Sequence, residues 1–407
     1  MERGLLNPCN GASLLYFNTS VIITLLIFCI LYNPKTAISV QKSSRPNIYT
    51  PPTPLPGNGG KRCDLFKGEW IRDERGSMYT NCSCKTIPYR RNCFLHGRKD
   101  GDFVQWRWKP EECELPRFDP RMFLSIVRGK TMAFVGDSLS KNQMDSLLCL
   151  LSSEETPRNI YKDDEDRSTT WEFPNHNFTL MSLWSKFLVT ATERLLTNAT
   201  PTGDFNLHLD KVDQSWSRKL PLIDYFIFSD VQWFFRQHYL YSNNTLIGCT
   251  YCKDAKNLGF HFAIKRVVQS VLKHINECDN CKNIFTMLRT FSPSHFEHGE
   301  WNTGGVCNRT QPYGREEVIG RESNMEMRNT QVEEIERLRE RGKNRFEILD
   351  VTEMMGMRAD GHPGVYGGNT WMKGYSDCIH WCLPGPIDVW NELLSEMIKR
   401  HKTNLLS

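Results

Sequence analysis

The chain has no charge excess, no internal repeat and no glycine-rich phosphate cradle. Its 51 basic and 47 acidic residues leave a net charge of +4. That balance lacks the basic footprint of a nucleic-acid binder, so nucleic acid is excluded as a partner. Without a repeat, stacked-repeat architectures are excluded too. Without a cradle there is no built site for a bound cofactor of the coenzyme A kind, and none is expected. Charge is missing altogether between Arg3 and Lys35. Within that gap, residues 14–32 read LLYFNTSVIITLLIFCILY, a length that suits one membrane span of about 20 residues. The rival reading is a cleaved signal peptide. No small-x-small cleavage site follows, only Thr36-Ala37-Ile38-Ser39, so an uncleaved signal anchor is expected after a short tail over 1–13.

The orientation signals conflict. Lys35, Lys42 and Arg45 follow the span and only Arg3, beside Glu2, precedes it, which taken alone puts the body in the cytosol. Thirteen cysteines from Cys63 to Cys382 and five sequons, at Asn81, Asn177, Asn198, Asn243 and Asn308, lie beyond the span. Cysteine density with glycosylation acceptors indicates an oxidising lumen, and this outweighs a small charge difference. Thirteen is odd, so one thiol is expected to be free or to pair between chains.

Hydrophobic residues make up 39% and aromatics 11%, enough for a packed core in one large domain and a smaller module. Residues 33–61, centred on Pro51-Pro52-Thr53-Pro54-Leu55-Pro56, form no core and read as a semi-extended stem. Residues 62–128 are dense in cysteine and tryptophan and predict a small disulfide-stapled module. From 129 to 407 strands alternate with helices. Strands are predicted over 131–135, 224–229, 284–289 and 346–351, and helices over 139–151, 260–277, 323–341 and 386–402. Alternation of this kind predicts an α/β fold, a mostly parallel sheet between two helical layers.

Two signals carry chemistry. The first is Phe134-Val135-Gly136-Asp137-Ser138-Leu139, a buried strand ending as a helix begins. It sets Ser138 at the carboxyl end of a strand, where open α/β sheets place their sites, and beside the N–H groups of a helix N-terminus. The bland reading makes Asp137 or Ser138 a helix cap. The second signal is Asp377-Cys378-Ile379-His380, ahead of the last helix. A serine nucleophile needs a base, and the base needs a carboxylate to orient it. Taken together, the two signals favour a Ser138–His380–Asp377 triad over two separate caps. Such a mechanism requires no metal.

Gly136-Asp137-Ser138 early with Asp377-x-x-His380 late resembles the GDSL, or SGNH, esterase superfamily. Within it the chain is similar to the plant trichome-birefringence-like polysaccharide O-acetyltransferases from about Cys63 onward. The likeness runs through Cys63-Asp64-Leu65-Phe66-Lys67-Gly68-Glu69-Trp70, Trp106-Arg107-Trp108-Lys109-Pro110, Arg289-Thr290-Phe291-Ser292-Pro293-Ser294-His295-Phe296-Glu297, Trp301-Asn302-Thr303-Gly304-Gly305, Asp360-Gly361-His362-Pro363 and Asp377-Cys378-Ile379-His380-Trp381-Cys382. The resemblance implies an SGNH-like domain and a single-pass type II protein of the Golgi membrane with its body in the lumen. It implies transfer of acetate through an acetyl-serine to a cell-wall polysaccharide, with Ser138 the nucleophile, His380 the base and Asp377 its orienter. Tyr161-Lys162-Asp163, the segment 272–278 and Gly374-Tyr375-Ser376-Asp377 look like the xyloglucan-acetylating branch, which acts on side-chain galactose. Gly136, Asp137, Asn142, Gln232 and Asn302 are candidates for the oxyanion pocket or the substrate. Acetyl-CoA or an acetylated intermediate would be the co-substrate, with a membrane protein as a conceivable donor supplier.

One departure stands out. The family has Gly-His-Trp after its second strand, whereas this chain has Val231-Gln232-Trp233. Gln232 can still donate from its side-chain amide. The alternatives are an esterase using the same triad, a xylan or mannan acetyltransferase, and a catalytically weakened glycan-binding protein. Cys249/Cys252 and Cys278/Cys281 predict disulfides rather than zinc in a lumen. Cys378 and Cys382 are expected to tie the His380 loop to other parts of the chain, such as Cys307 or Cys93. His295 reads equally as structural or functional, and Asp360 with His362 as a turn. Trp106, Trp108, Trp301 and Trp371 are candidates for stacking on sugars.

Overall fold

A computed structural model describes residues 63–281, 284–340, 346–368 and 374–406. The predicted tail, anchor and stem lie outside these residues, as does Trp371. Among the described residues no helix is long and apolar enough to cross a membrane.

The segment Thr131–Gly136 shows why the central sheet forms. Every residue from Met132 to Gly136 is buried. Met132 and Phe134 join one core, Ala133 and Val135 the other. A strand apolar on both sides needs a layer on each face. Thirteen strands are described: β1 (Gly68–Arg72), β2 (Trp106–Pro110), β3 (Thr131–Gly136), β4 (Arg158–Lys162), β5 (Thr169–Phe173), β6 (Phe178–Trp184), β7 (Val189–Leu195), β8 (Pro201–Val212), β9 (Tyr225–Ser229), β10 (His238–Ser242), β11 (Thr245–Thr250), β12 (Phe285–Arg289) and β13 (Phe346–Leu349). Seven make the central sheet in the order β13-β12-β9-β3-β6-β5-β4.

The four longest helices are α1 (Ser138–Leu151), α2 (Gly259–Glu277), α3 (Arg321–Glu340) and α4 (Asp388–Leu406). Helices α1 and α4 share the core of Met132 and Phe134. Helices α2 and α3 share the core of Ala133 and Val135. Helix α2 buries Ala263, Ile264, Val267, Val268, Val271, Leu272 and Ile275, the one-sided stripe of an amphipathic helix. The fold is therefore α/β in three layers.

The predicted mostly parallel sheet holds across five strands of the central sheet, but the sheets as a whole are mixed. Strands β13, β12, β9, β3 and β6 run parallel, but β5 is antiparallel to β6 and β4 to β5. The β5–β6 connection is a short turn over Pro174–His176, with Asn177 at φ 47°, and a link that short only serves antiparallel neighbours. A second sheet, β11-β10-β8-β7, is also mixed.

Residues 63–128 do not form a core of their own. Leu65, Tyr79, Trp108, Leu115 and Phe118 lie in the same core as α1 and α4. The antiparallel β1–β2 ribbon sets Trp70 edge-on to Trp108 at 5.6 Å, and the Trp108 Nε1–H donates to the Leu65 carbonyl (2.9 Å). Buried Trp108 offers no face to a sugar. Cys63–Cys113 closes the segment on itself, while Cys84–Cys149 and Cys93–Cys382 staple it to α1 and to the His380 loop. Cys307–Cys378 is the second tie on that loop, and Cys249–Cys252 and Cys278–Cys281 are disulfides as well. Cys82 is also disulfide-bonded, so the expected odd thiol is not found among the described residues.

Candidate active site

Strand β3 delivers Ser138. Gly136 has φ +145°, and a Cβ there would meet the Ser229 carbonyl oxygen at 1.9 Å. Only glycine lets β3 run this close to β9 while turning into α1. Asp137 caps that helix, its carboxylate accepting from the Leu139 N–H (2.9 Å). The bland reading thus describes Asp137 itself. Ser138 is the first residue of α1, so its N–H has no partner within the helix and faces outward where negative charge is favoured.

Ser138, His380 and Asp377 come together. The Ser138 Oγ lies 2.6 Å from His380 Nε2. His380 Nδ1 lies 2.9 and 3.0 Å from the two oxygens of Asp377. With the Nδ1–H donating to a carboxylate, Nε2 is left as the acceptor for the serine proton. Asp377 Oδ1 also accepts from the main-chain N–H of Ile379 (3.3 Å) and His380 (3.1 Å), which is what the spacing of three permits. Arg91 donates to Asp377 Oδ2 at 3.0 Å. Burial alone would raise the Asp377 carboxyl. The His380 imidazole, the Arg91 guanidinium and these hydrogen bonds overcome it and hold Asp377 well below the carboxylate range. The chain Asp377–His380–Ser138 can therefore deprotonate the serine without losing its own charge. Arg91 lies 286 residues from Asp377, and nothing in its local sequence signals the contact.

The loop is anchored on both sides of His380. Asn142 of α1 accepts from the Trp381 N–H (2.8 Å) and donates to the Trp381 carbonyl (3.3 Å). Both ends of its amide are thus occupied by main chain, and it positions the base rather than reaching for substrate. Cys378 and Cys382 fasten the loop at either end, to Cys307 and Cys93. Gln232 donates its side-chain amide to the Ser292 carbonyl (2.8 Å), so it is spent on fixing the loop after β9. Asn302 is exposed on its turn. Of the sequon residues, Asn177, Asn198, Asn243 and Asn308 are exposed and Asn81 is half-buried. Asp360 does not pair with His362. It binds Arg358 (2.8 and 2.9 Å) instead.

Behind the serine sits a buried group that sequence patterns did not reveal. Asp230 follows β9, and among the described residues its two buried side-chain oxygens have no well-formed hydrogen bond, the Val231 N–H being the nearest donor to act on them. Burial and the nearby Asp137 charge push its carboxyl well up, with Arg289 opposing. Burial in turn brings Arg289 down to about 10 against the pull of Asp137 and Asp230. A carboxyl whose folded pKa exceeds its unfolded one favours the fold at low pH, and this contribution is lost as pH rises toward the folded value. Asp230→Asn is therefore expected to raise Tm more at about pH 8 than at about pH 5, measured by thermal melts at both. An equal shift at the two values would contradict this assignment.

Residues 115–397 match the GDSL/SGNH-like acyl-esterase family found in Pmr5 and Cas1p, and residues 61–114 match the PMR5 N-terminal domain. The chain belongs to this acyl-esterase family. Among its relatives, xyloglucan O-acetyltransferase 3 of Populus trichocarpa is 53% identical over 390 residues, covering 95% of this chain and 97% of the relative. Xyloglucan O-acetyltransferase 2 of Arabidopsis thaliana is 48% identical over 394 residues, covering 95% and 92%. Protein trichome birefringence-like 20 of Arabidopsis thaliana is 44% identical over 348 residues, covering 83% and 72%.

Proposed function

We propose that this protein is a polysaccharide O-acetyltransferase acting on xyloglucan through an acetyl-serine at Ser138. The observation that carries the reading is the hydrogen-bonded series Asp377–His380–Ser138, in a chain whose relatives at 48–55% identity are xyloglucan O-acetyltransferases. In the first half-reaction His380 Nε2 takes the Ser138 proton as Oγ attacks the acetyl carbonyl of the donor. The carbonyl oxygen becomes an oxyanion facing the N–H of Ser138, the donor's leaving group departs with the proton from His380, and acetyl-serine remains. In the second half-reaction a sugar hydroxyl gives its proton to His380 and attacks the same carbonyl. Ser138 Oγ leaves and recovers the proton. Asp377 stays ionised throughout and stabilises the imidazolium. The donor is acetyl-CoA or an acetylated intermediate, and the body works in the Golgi lumen behind a single N-terminal anchor.

An acceptor platform follows from the strand ends beside Ser138. Lys186 comes just after β6, whose Trp184 pairs with Gly136. Its ammonium lies 4.3 Å from the Phe205 ring and 4.4 Å from the Trp233 ring. Arg236 stacks on Trp233 at 5.1 Å and on Trp301 at 4.7 Å. Trp301 is 40% exposed, leaving an aromatic face that a sugar ring can cover. Trp301→Ala is expected to raise KM for xyloglucan oligosaccharides about three- to tenfold with kcat nearly unchanged, the pattern of lost uniform binding. A fall in kcat at constant KM would remove Trp301 from the acceptor site.

The reading as a whole is tested by incubating the full-length protein with acetyl-CoA and xyloglucan oligosaccharides and following the sugars by NMR. Acetyl esters on the oligosaccharide support transfer. Free acetate alone makes the protein an esterase, and binding without either product makes it a glycan-binding protein.

A further inference from the structure

Three hydrogen bonds run in series behind His380. His295 Nε2 lies 2.9 Å from the carbonyl oxygen of Gly356. His295 Nδ1 lies 2.6 Å from His362 Nε2. His362 Nδ1 lies 2.7 Å from the carbonyl oxygen of His380 itself. Both carbonyls only accept, so each outer nitrogen must carry a hydrogen, and the contact between the rings needs a third. Two neutral imidazoles carry two N–H groups between them. Any neutral arrangement therefore sets two lone pairs against each other at one of the three contacts.

We propose that His295 and His362 hold one extra proton in common, and that this shared proton fixes the main chain of His380 behind the nucleophile. Both rings are buried, His295 at 7% and His362 at 2% exposure. Burial pushes the His295 imidazole down to about 4 and His362 down as well, and charge on His295 opposes a proton on His362. Burial thus opposes charge on either ring, while the three contacts require one proton more than two neutral rings carry.

The surrounding charges are each accounted for. Asp377 faces His362 and is held by Arg91 and His380. Asp360 is paired with Arg358. Glu297 is held by Tyr313 (2.6 Å) and Arg309 (3.2 Å). Arg98 donates to the His362 carbonyl (2.9 Å). The carboxylates favour the shared proton, and the arginines and charge on His380 itself oppose it. The pair reaches the base along two routes. One is the bond to the His380 carbonyl. The other is the His362 ring, which stacks on Trp381 at 4.1 Å, the residue that Asn142 clamps. Loss of the proton as pH rises forces one of the three bonds to be given up and loosens the hold on the His380 main chain. His295 and His362 are thus positioning residues for His380.

The positioning claim rests on the triad reading but not on the choice of polysaccharide. The test uses the full-length protein in detergent, with histidine nitrogens labelled. The expected NMR result is one strongly downfield proton coupled to both rings, absent in His295→Gln. The second readout is the rate at which a fluorophosphonate labels Ser138 across pH. In His295→Gln the amide offers two N–H groups, one to Gly356 and one to His362, so three bonds form with no extra proton. This variant is expected to keep the labelling rate within about threefold of the wild type's at a pH where the proton is held, and to lose the decline that the wild type shows as that proton leaves with rising pH. His295→Leu, which supplies no donor, is expected to slow labelling about tenfold at every pH. Two neutral rings with no shared proton, or the same pH profile for wild type and His295→Gln, would overturn the proposal. If Ser138 takes no label in any protein, the triad reading fails, and the NMR result alone then decides the shared proton.

Discussion

Ser138→Ala is expected to abolish acetyl transfer, with kcat falling on the order of 10⁴-fold or more, while the fold is kept. Ser138 stands at the first position of α1, whose cap is the neighbouring Asp137, so alanine removes the hydroxyl and leaves the helix start in place. Its side-chain bond to His380 at 2.6 Å is lost, and stability should change by no more than about 1 kcal/mol. Initial rates with xyloglucan oligosaccharides beside a thermal melt check both halves. A variant that is inactive because it has unfolded would say nothing about the nucleophile, which is why the melt belongs to the same experiment.

Asp377→Asn is the second large effect. The Asp377 carboxylate is ringed by donors. Oδ1 faces the N–H groups of Ile379 and His380 and the His380 ring, and Oδ2 faces the ring and Arg91. Whichever way the amide is turned, its NH₂ meets a donor. If it faces Nδ1, the imidazole must shift its hydrogen to Nε2, and the serine loses its proton acceptor. The expected fall in kcat is about 10³- to 10⁴-fold. Arg91 also loses the charge that compensates its own burial, so a lower Tm accompanies the kinetic loss. A variant that keeps kcat within about tenfold would show that Asp377 does not orient the base.

The parts of this site that were legible in sequence are those whose partners are local. Gly136-Asp137-Ser138 couples a strand end to a helix start over three residues, and Asp377 reaches His380 across one turn of loop. Strands β3, β9, β12 and β13 were legible because each is a largely buried, mostly apolar run. Strand β4, with all five residues exposed, and β7, polar along most of its length, carry no comparable run. The hairpins that make the sheets mixed were therefore hidden. Arg91, Asn142 and the pairing of His295 with His362 act across 286, 239 and 67 residues, where no spacing rule applies. Disulfide partners are equally non-local. Chemistry narrowed the ties on the His380 loop to regions of the chain, and only packing joined Cys378 to Cys307 and Cys382 to Cys93. Val231-Gln232-Trp233 was legible as a departure, but its consequence was not. Gln232 braces the Ser292 carbonyl, and Trp233 lies between two cations.

The most direct test of the central claim is intact-protein mass spectrometry of the full-length chain after brief exposure to an acetyl donor, with peptide mapping and Ser138→Ala alongside. The account predicts one acetyl group on Ser138 in the wild type, none in the variant, and loss of that acetyl group when xyloglucan oligosaccharide is added. An acetyl adduct that persists in Ser138→Ala, or acetylated sugar formed by that variant at the wild-type rate, would contradict it.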